Sequence, residues 1–167
     1  MKEIKVLKLG TVCTDRATKL KGTLTHWSLD MGGGICYLFQ PKGLDENMQP
    51  VKKIALELAR LEVQEADFEM VKVPFEILGS IVENKPSGFK GMAIEFIRHV
   101  NGCFHVVIQP EGILPKTKLP IQKCEFDLRE CVGKMITQLS EKALAESKEK
   151  EPSPTGDVFP SRFSSTM

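Results

Sequence analysis

Apolar and polar residues alternate in short runs along most of this chain, and glycine or proline closes nearly every run. Alternation with period two marks strands that bury one face. Residues 9–16 read as a short strand, 18–22 as a turn and 23–30 as a second strand. Gly32-Gly33-Gly34 then signals a hairpin, because tight hairpin turns need positive φ. Residues 35–39 form the returning strand, Gln40-Pro41 ends it, 42–50 make a loop and 51–63 a last strand.

The second half follows the same plan. Strands are expected at 77–83, 89–99, 104–108 and 121–128, with a turn at 84–88 and a proline-rich loop at 111–120. Asn101-Gly102 is a two-residue turn signal of type I′, and Gln109-Pro110 again ends a strand. The period changes after Gly133. Met135, Ile136, Leu139, Ala143 and Leu144 recur at helical spacing among charged residues, which predicts an amphipathic helix to residue 149. The tail beyond Lys150 is rich in Pro and Ser and is expected to be disordered. Phe159 and Phe163 there read either as an idle tail or as a short docking motif.

The two plans are one plan repeated. Residues 9–41 align without a gap on 78–110, at a constant offset of 69. Leu9-Gly10 matches Leu78-Gly79, Lys21-Gly22 matches Lys90-Gly91, Gly33 matches Gly102 and Gln40-Pro41 matches Gln109-Pro110. One extra residue in the second copy then moves the offset to 70, which pairs Leu56-Glu57-Leu58 with Phe126-Asp127-Leu128. The copies share turn glycines and core positions, not a catalytic side chain. A fixed period of this kind sets the architecture.

Short strands and glycine turns in so small a unit suggest a small barrel. The expected fold is therefore mainly β, with two tandem SH3-like (KOW-type) β-barrel repeats, one C-terminal amphipathic α-helix and a disordered tail. The boundaries are 1–63 for the first repeat, 64–74 for a linker, 75–132 for the second repeat, 133–150 for the helix and 151–167 for the tail. Modules of about 60 residues bury a marginal core alone, so they are expected to pack on each other or on a second chain. Gly22, Gly33, Gly91 and Gly102 are the scaffold turns.

A net charge of +1 gives no global case for nucleic acid or for a membrane surface. No run approaches a membrane span, and the first residues lack the apolar core of a signal peptide. Five cysteines show no C-x-x-C spacing and are not equivalent between copies, so they read as reduced, buried thiols in a cytoplasmic protein. No cofactor and no metal site is expected.

The copies resemble a group of small phage- and prophage-encoded proteins. The resemblance rests in the second copy on Gly79, Ser87-Gly88-Phe89-Lys90-Gly91, Asn101-Gly102-Cys103, Gln109-Pro110 and Phe126-Asp127. In the first it rests on Gly10, Val12, Asp15, Thr18, Gly22, Gly33, Tyr37 and Gln40-Pro41. The chain departs from the pattern at Lys19, where glycine is usual, at Gly34, where cysteine is usual, and at Asn84, where aspartate is usual. The resemblance implies a phage origin and an accessory, non-catalytic role in the bacterial cytoplasm of the host.

Candidate chemistry is sparse. His26, His99 and His105 lie on three strand-like segments without a nucleophile elbow, and catalysis is not expected. Gly32-Gly33-Gly34 leads into a strand and not a helix, which favours a turn over a phosphate loop. Trp27 and its equivalent Phe96, with Tyr37 beside them, could fill the core or form a stacking platform. The loop with Lys116 and Lys118 has a counterpart of opposite charge in the first copy, Asp45-Glu46-Asn47, which weighs against two identical anion sites. The candidate ligand-binding residues are Trp27, Tyr37, Phe96, His105, Lys116 and Lys118.

The expected function is that of a non-enzymatic binding protein that sequesters or blocks a host factor, as an anti-defence inhibitor or a sponge for a nucleotide signal. The partners expected are a host protein or a small nucleotide, with self-association into a homo-oligomer. A KOW-like nucleic-acid-binding module and a virion structural or assembly component are the alternatives.

Overall fold

The computed structural model describes residues 1–149, and the tail expectation lies outside them. The chain is mainly β with one C-terminal helix. The strands are β1 (Lys2–Leu7), β2 (Val12–Asp15), β3 (Lys21–Asp30), β4 (Ile35–Pro41), β5 (Ile54–Leu56), β6 (Leu61–Glu62), β7 (Phe68–Val73), β8 (Ile81–Asn84), β9 (Phe89–His99), β10 (Phe104–Gln109), β11 (Cys124–Asp127) and β12 (Cys131–Val132). The helix α1 runs over Lys134–Glu149. Elements β2–β6 recur as β8–β12, down to a 3-10 turn at Leu58–Arg60 matched by one at Leu128–Glu130.

The repeats join edge to edge. β3 pairs antiparallel with β9, and the ladder sets His26 opposite His99, Ser28 opposite Ile97 and Asp30 opposite Glu95. Ser28 and Ile97 occupy the same repeat position. Equivalent residues facing each other in an antiparallel ladder are what a local two-fold axis produces. The same axis governs β1 and β7, where Glu3 faces its equivalent Lys72. Sequence reading began the first strand at residue 9 and placed 64–74 in a linker. Charged Lys2, Glu3, Lys5, Glu69 and Lys72 disguise β1 and β7, a two-stranded sheet that spans the two repeats.

Each long strand is bent by a bulge. The ladder skips Thr25 in β3 and, at the equivalent place, Ile94 in β9. A bulge bends and twists a strand locally. The N-terminal half of β3 pairs with β2 of its own repeat, and its C-terminal half crosses to β9. The result is one ten-stranded sheet. Its inward side chains form a single core that includes Leu24, Trp27, Leu29, Tyr37 and Phe39 with Val82, Ala93, Phe96, Val106 and Ile108.

The repeated sequence signals have identifiable duties. At Gly22 a Cβ would stand 2.3 Å from the Gln40 carbonyl oxygen, and at Gly91 one would stand 2.2 Å from that of Gln109. Only glycine permits that approach. Gln40 Nε2 donates to the Val51 carbonyl at 2.5 Å and Gln109 Nε2 to that of Ile121 at 2.7 Å, so each glutamine ties the long loop to its strand. Asp15 is buried, accepts from Thr18 Oγ1 at 2.6 Å and meets Arg60 Nη2 at 2.6 Å, which fixes the first turn to the 3-10 turn. In the second repeat Asn84 accepts from Ser87, and Glu130 stands where Arg60 does, so the ion pair is gone. The expected last strand at 51–63 is interrupted by the 3-10 turn that carries Arg60.

The predicted helix is present. Met135, Ile136 and Leu139 pack against the core. Its first half and the turn Phe75–Ile77 border an apolar hollow of about 750 Å³ with Phe104, Leu128 and Arg129.

Candidate functional site

The outward face of the shared sheet carries the chain's histidines. The bulge at Thr25 turns His26 outward while Leu24 and Trp27 stay buried. His26 and His99 face each other across the β3–β9 ladder, with ring centroids 5.2 Å apart. The turn at Asn101-Gly102, with Gly102 at φ 87°, folds β10 back along β9. That brings the His105 ring to 4.4 Å from the His99 ring. Glu125 arrives from β11, whose register sets it diagonally beside His105. Diagonal neighbours of this kind lie within reach of long side chains. Glu125 Oε1 lies 2.6 Å from His105 Nδ1 and 3.2 Å from His99 Nε2.

His99, His105 and Glu125 thus converge from three adjacent strands, with one ligand atom of each within 4.8 Å of the others. Their side chains are 29%, 29% and 41% exposed, so the cluster is open to solvent. Among the described residues it is the one group of three or more His, Cys, Asp or Glu side chains with metal-holding geometry. His26 adds a neutral edge. Burial lowers its pKa most, and the charges of His99 and Lys53 lower it further, against the opposite pull of Glu125.

The other half of the face is chemically different. The positions equivalent to His99, His105 and Glu125 hold Asp30, Cys36 and Ala55. Asp30 Oδ1 accepts from the Gly34 N–H at 2.9 Å, which commits it to the hairpin turn. Burial raises the Cys36 thiol pKa, and Glu57 and Glu95 raise it further. Asp30, Cys36, Glu57 and Glu95 line a small acidic hollow with Ser28. The two-fold axis therefore relates a histidine-rich half to an acidic half.

The structure sorts the residues expected from the sequence. Trp27, Tyr37 and Phe96 are buried to within about a hundredth of their surface. They fill the core and form no exposed platform, because the bulges place 24, 27 and 29 on one inward face. Tyr37 Oη accepts from the Leu7 N–H at 3.2 Å, which ties β4 to β1. Lys116 and Lys118 are exposed in the loop that leaves the far end of β10, away from the turn beside His105. The backbone matches Lys118 with Met48, both at positive φ. Of the six candidates, only His105 belongs to the cluster. His99 and Glu125 were missed as its partners. No signal in the sequence set these positions apart, because most positions outside the shared turn glycines and the Gln-Pro stops also differ between the copies.

No family model, curated protein or solved structure matches this chain.

Proposed function

We propose that this chain is a non-enzymatic binding protein of phage accessory type, built on two SH3-like barrel units, that sequesters or blocks a host factor in the bacterial cytoplasm. One observation carries the reading. Duplication has kept Gly10/Gly79, Gly22/Gly91 and Gly33/Gly102, the glutamine clamps and the bulges in both copies, while the outward face diverges into His26, His99, His105 and Glu125 on one side and Glu95, Asp30, Cys36 and Ala55 on the other. Two like halves would suit two copies of one ligand. Unlike halves about a shared axis suit one asymmetric partner that covers both. The five free thiols agree with a reducing compartment.

The partner in this reading is a host protein or a small nucleotide signal, and the chain associates with itself. The test places an arginine at the centre of the face. Full-length protein and its Ile97→Arg variant are each used as bait in bacterial lysate and in a nucleotide thermal-shift panel. Light scattering follows oligomeric state. The reading predicts a partner or ligand bound by the parent protein and lost in a variant that is still folded. No captured protein and no nucleotide shift with the parent would end it.

A further inference from the structure

A carboxylate that meets two imidazoles is an ordinary ion-pair motif when all three simply trade hydrogen bonds. The cluster on β9, β10 and β11 has features beyond that. Its donor atoms are a matched set. His99 presents Nε2, His105 presents Nδ1 and Glu125 presents a carboxylate oxygen, all within 4.8 Å of one another. Zinc binds imidazole nitrogen and carboxylate oxygen at about 2.0–2.2 Å, which puts tetrahedral donors roughly 3.3 Å apart. The His99–Glu125 separation of 3.2 Å already has this value. The His105–Glu125 separation of 2.6 Å reaches it by side-chain rotation.

The surroundings also hold the set in place. All three residues sit on adjacent strands of one sheet, so their spacing is fixed by the registers of two ladders and not by a loop. The other nearby carboxylate does not compete. Asp127 lies opposite His105, but Arg129 Nη2 donates to its Oδ2 at 2.5 Å and the Arg129 N–H to its Oδ1 at 2.9 Å, which commits that carboxylate to Arg129. The His26 ring lies beside that of His99, with centroids 5.2 Å apart and planes tilted by 38°.

We propose that His99, His105 and Glu125 form a binding site for one divalent transition-metal ion of the zinc class per chain. Imidazole nitrogen with one carboxylate selects Zn²⁺, Co²⁺ or Ni²⁺ over Mg²⁺ and Ca²⁺, which want oxygen. Three protein donors leave the fourth tetrahedral position open to the solvent side of the sheet, for water or a donor from outside the chain. Among the described residues the site exists once, because the first repeat offers Asp30, Cys36 and Ala55 instead. It is independent of what the protein sequesters.

The test uses full-length protein stripped with a chelator and titrated with Co²⁺, then Zn²⁺, by absorption and calorimetry. The expected result is one ion per chain, cobalt bands of nitrogen and oxygen ligation without a thiolate charge-transfer band, and displacement by Zn²⁺. His99→Gln and Glu125→Ala should each weaken binding at least about tenfold. Should a variant fail to fold, Zn²⁺ titration of the parent by NMR still decides. The His99 and His105 ring signals should shift, and the Asp30 and Cys36 amides should not. Failure to bind, a thiolate band, or undiminished affinity in a folded His99→Gln/Glu125→Ala variant would each overturn the assignment.

Discussion

Ser28 lies directly opposite Ile97 in the β3–β9 ladder, and the two are the same residue position of a duplicated unit. That pairing converts a tandem repeat into one sheet with a local two-fold axis. The second pairing on the axis, Glu3 with Lys72, ties the strands that open the two repeats. Each module completes its neighbour, which answers the small-core problem of a 60-residue unit of about that size. It also leaves one uninterrupted outward face, on which the copies have diverged.

The close approach at Gly91 makes a sharp prediction. Gly91→Ala would drive a Cβ to 2.2 Å from the Gln109 carbonyl oxygen, and Gly22→Ala would do the same against Gln40. Backbone on both sides leaves nothing flexible to yield. Each substitution should cost about 3 kcal/mol, read from urea unfolding midpoints. Gly32→Ala, which meets only the Asp30 side chain at 3.2 Å, should cost far less.

Lys19 holds a left-handed backbone at φ 60°, and its equivalent Gly88 holds φ 71°. A side chain in that region costs roughly 1 kcal/mol, and glycine gives part of this back in unfolded-chain entropy. The Lys19–Glu62 ion pair is largely exposed and contributes little. Lys19→Gly should therefore stabilise by about 0.5 kcal/mol, and Gly88→Lys should destabilise by about 1 kcal/mol. Paired denaturation curves would show opposite signs.

Asp15 predicts a pH dependence that its equivalent in the second repeat, Asn84, does not carry. The Arg60 hydrogen bonds, then that of Thr18, hold its carboxyl well below its ordinary value of 3.8. A lowered folded pKa gives stability that is present above the unfolded value and lost as pH falls below it. As pH falls from about 5 towards 2, the parent should lose stability more steeply than Asp15→Asn, with no difference in slope between pH 7 and about 5. Asp127 and Glu76, also held low by cationic partners, keep some slope in the variant. Equal slopes in urea titrations across that range would contradict the role given to Asp15.

Trp27 is the single tryptophan, and it is fully buried. Its emission should be blue-shifted and resistant to iodide quenching in the native protein, with both properties lost in urea. Trp27→Ala should cost about 3–5 kcal/mol, as a large core deletion does. A solvent-accessible tryptophan would restore the stacking-platform alternative.

Much of this fold could be read from residues alone. Glycines at 10, 22, 33, 79, 91 and 102 and the Gln-Pro stops mark turns and strand ends by local chemistry, and the helix after Gly133 shows its period. Partners across a sheet are another matter. Period two tells which side a residue faces, not which strand lies beside it, so the β3–β9 seam and the β1–β7 pair stayed hidden. The bulges at Thr25 and Ile94 shift the period within a strand, which left Trp27 ambiguous. The cluster of His99, His105 and Glu125 needs the registers of two ladders before it exists at all.

The central claim is that this duplicated scaffold holds a partner and does not turn over a substrate. Native mass spectrometry of the protein purified gently from bacterial lysate tests it most directly, because it reports oligomeric state and retained ligand together. The account predicts an assembly that carries extra mass, from a host protein or a small nucleotide, which Ile97→Arg removes. A bare, monomeric chain that also captures no protein from lysate and shows no thermal shift with nucleotides would contradict it.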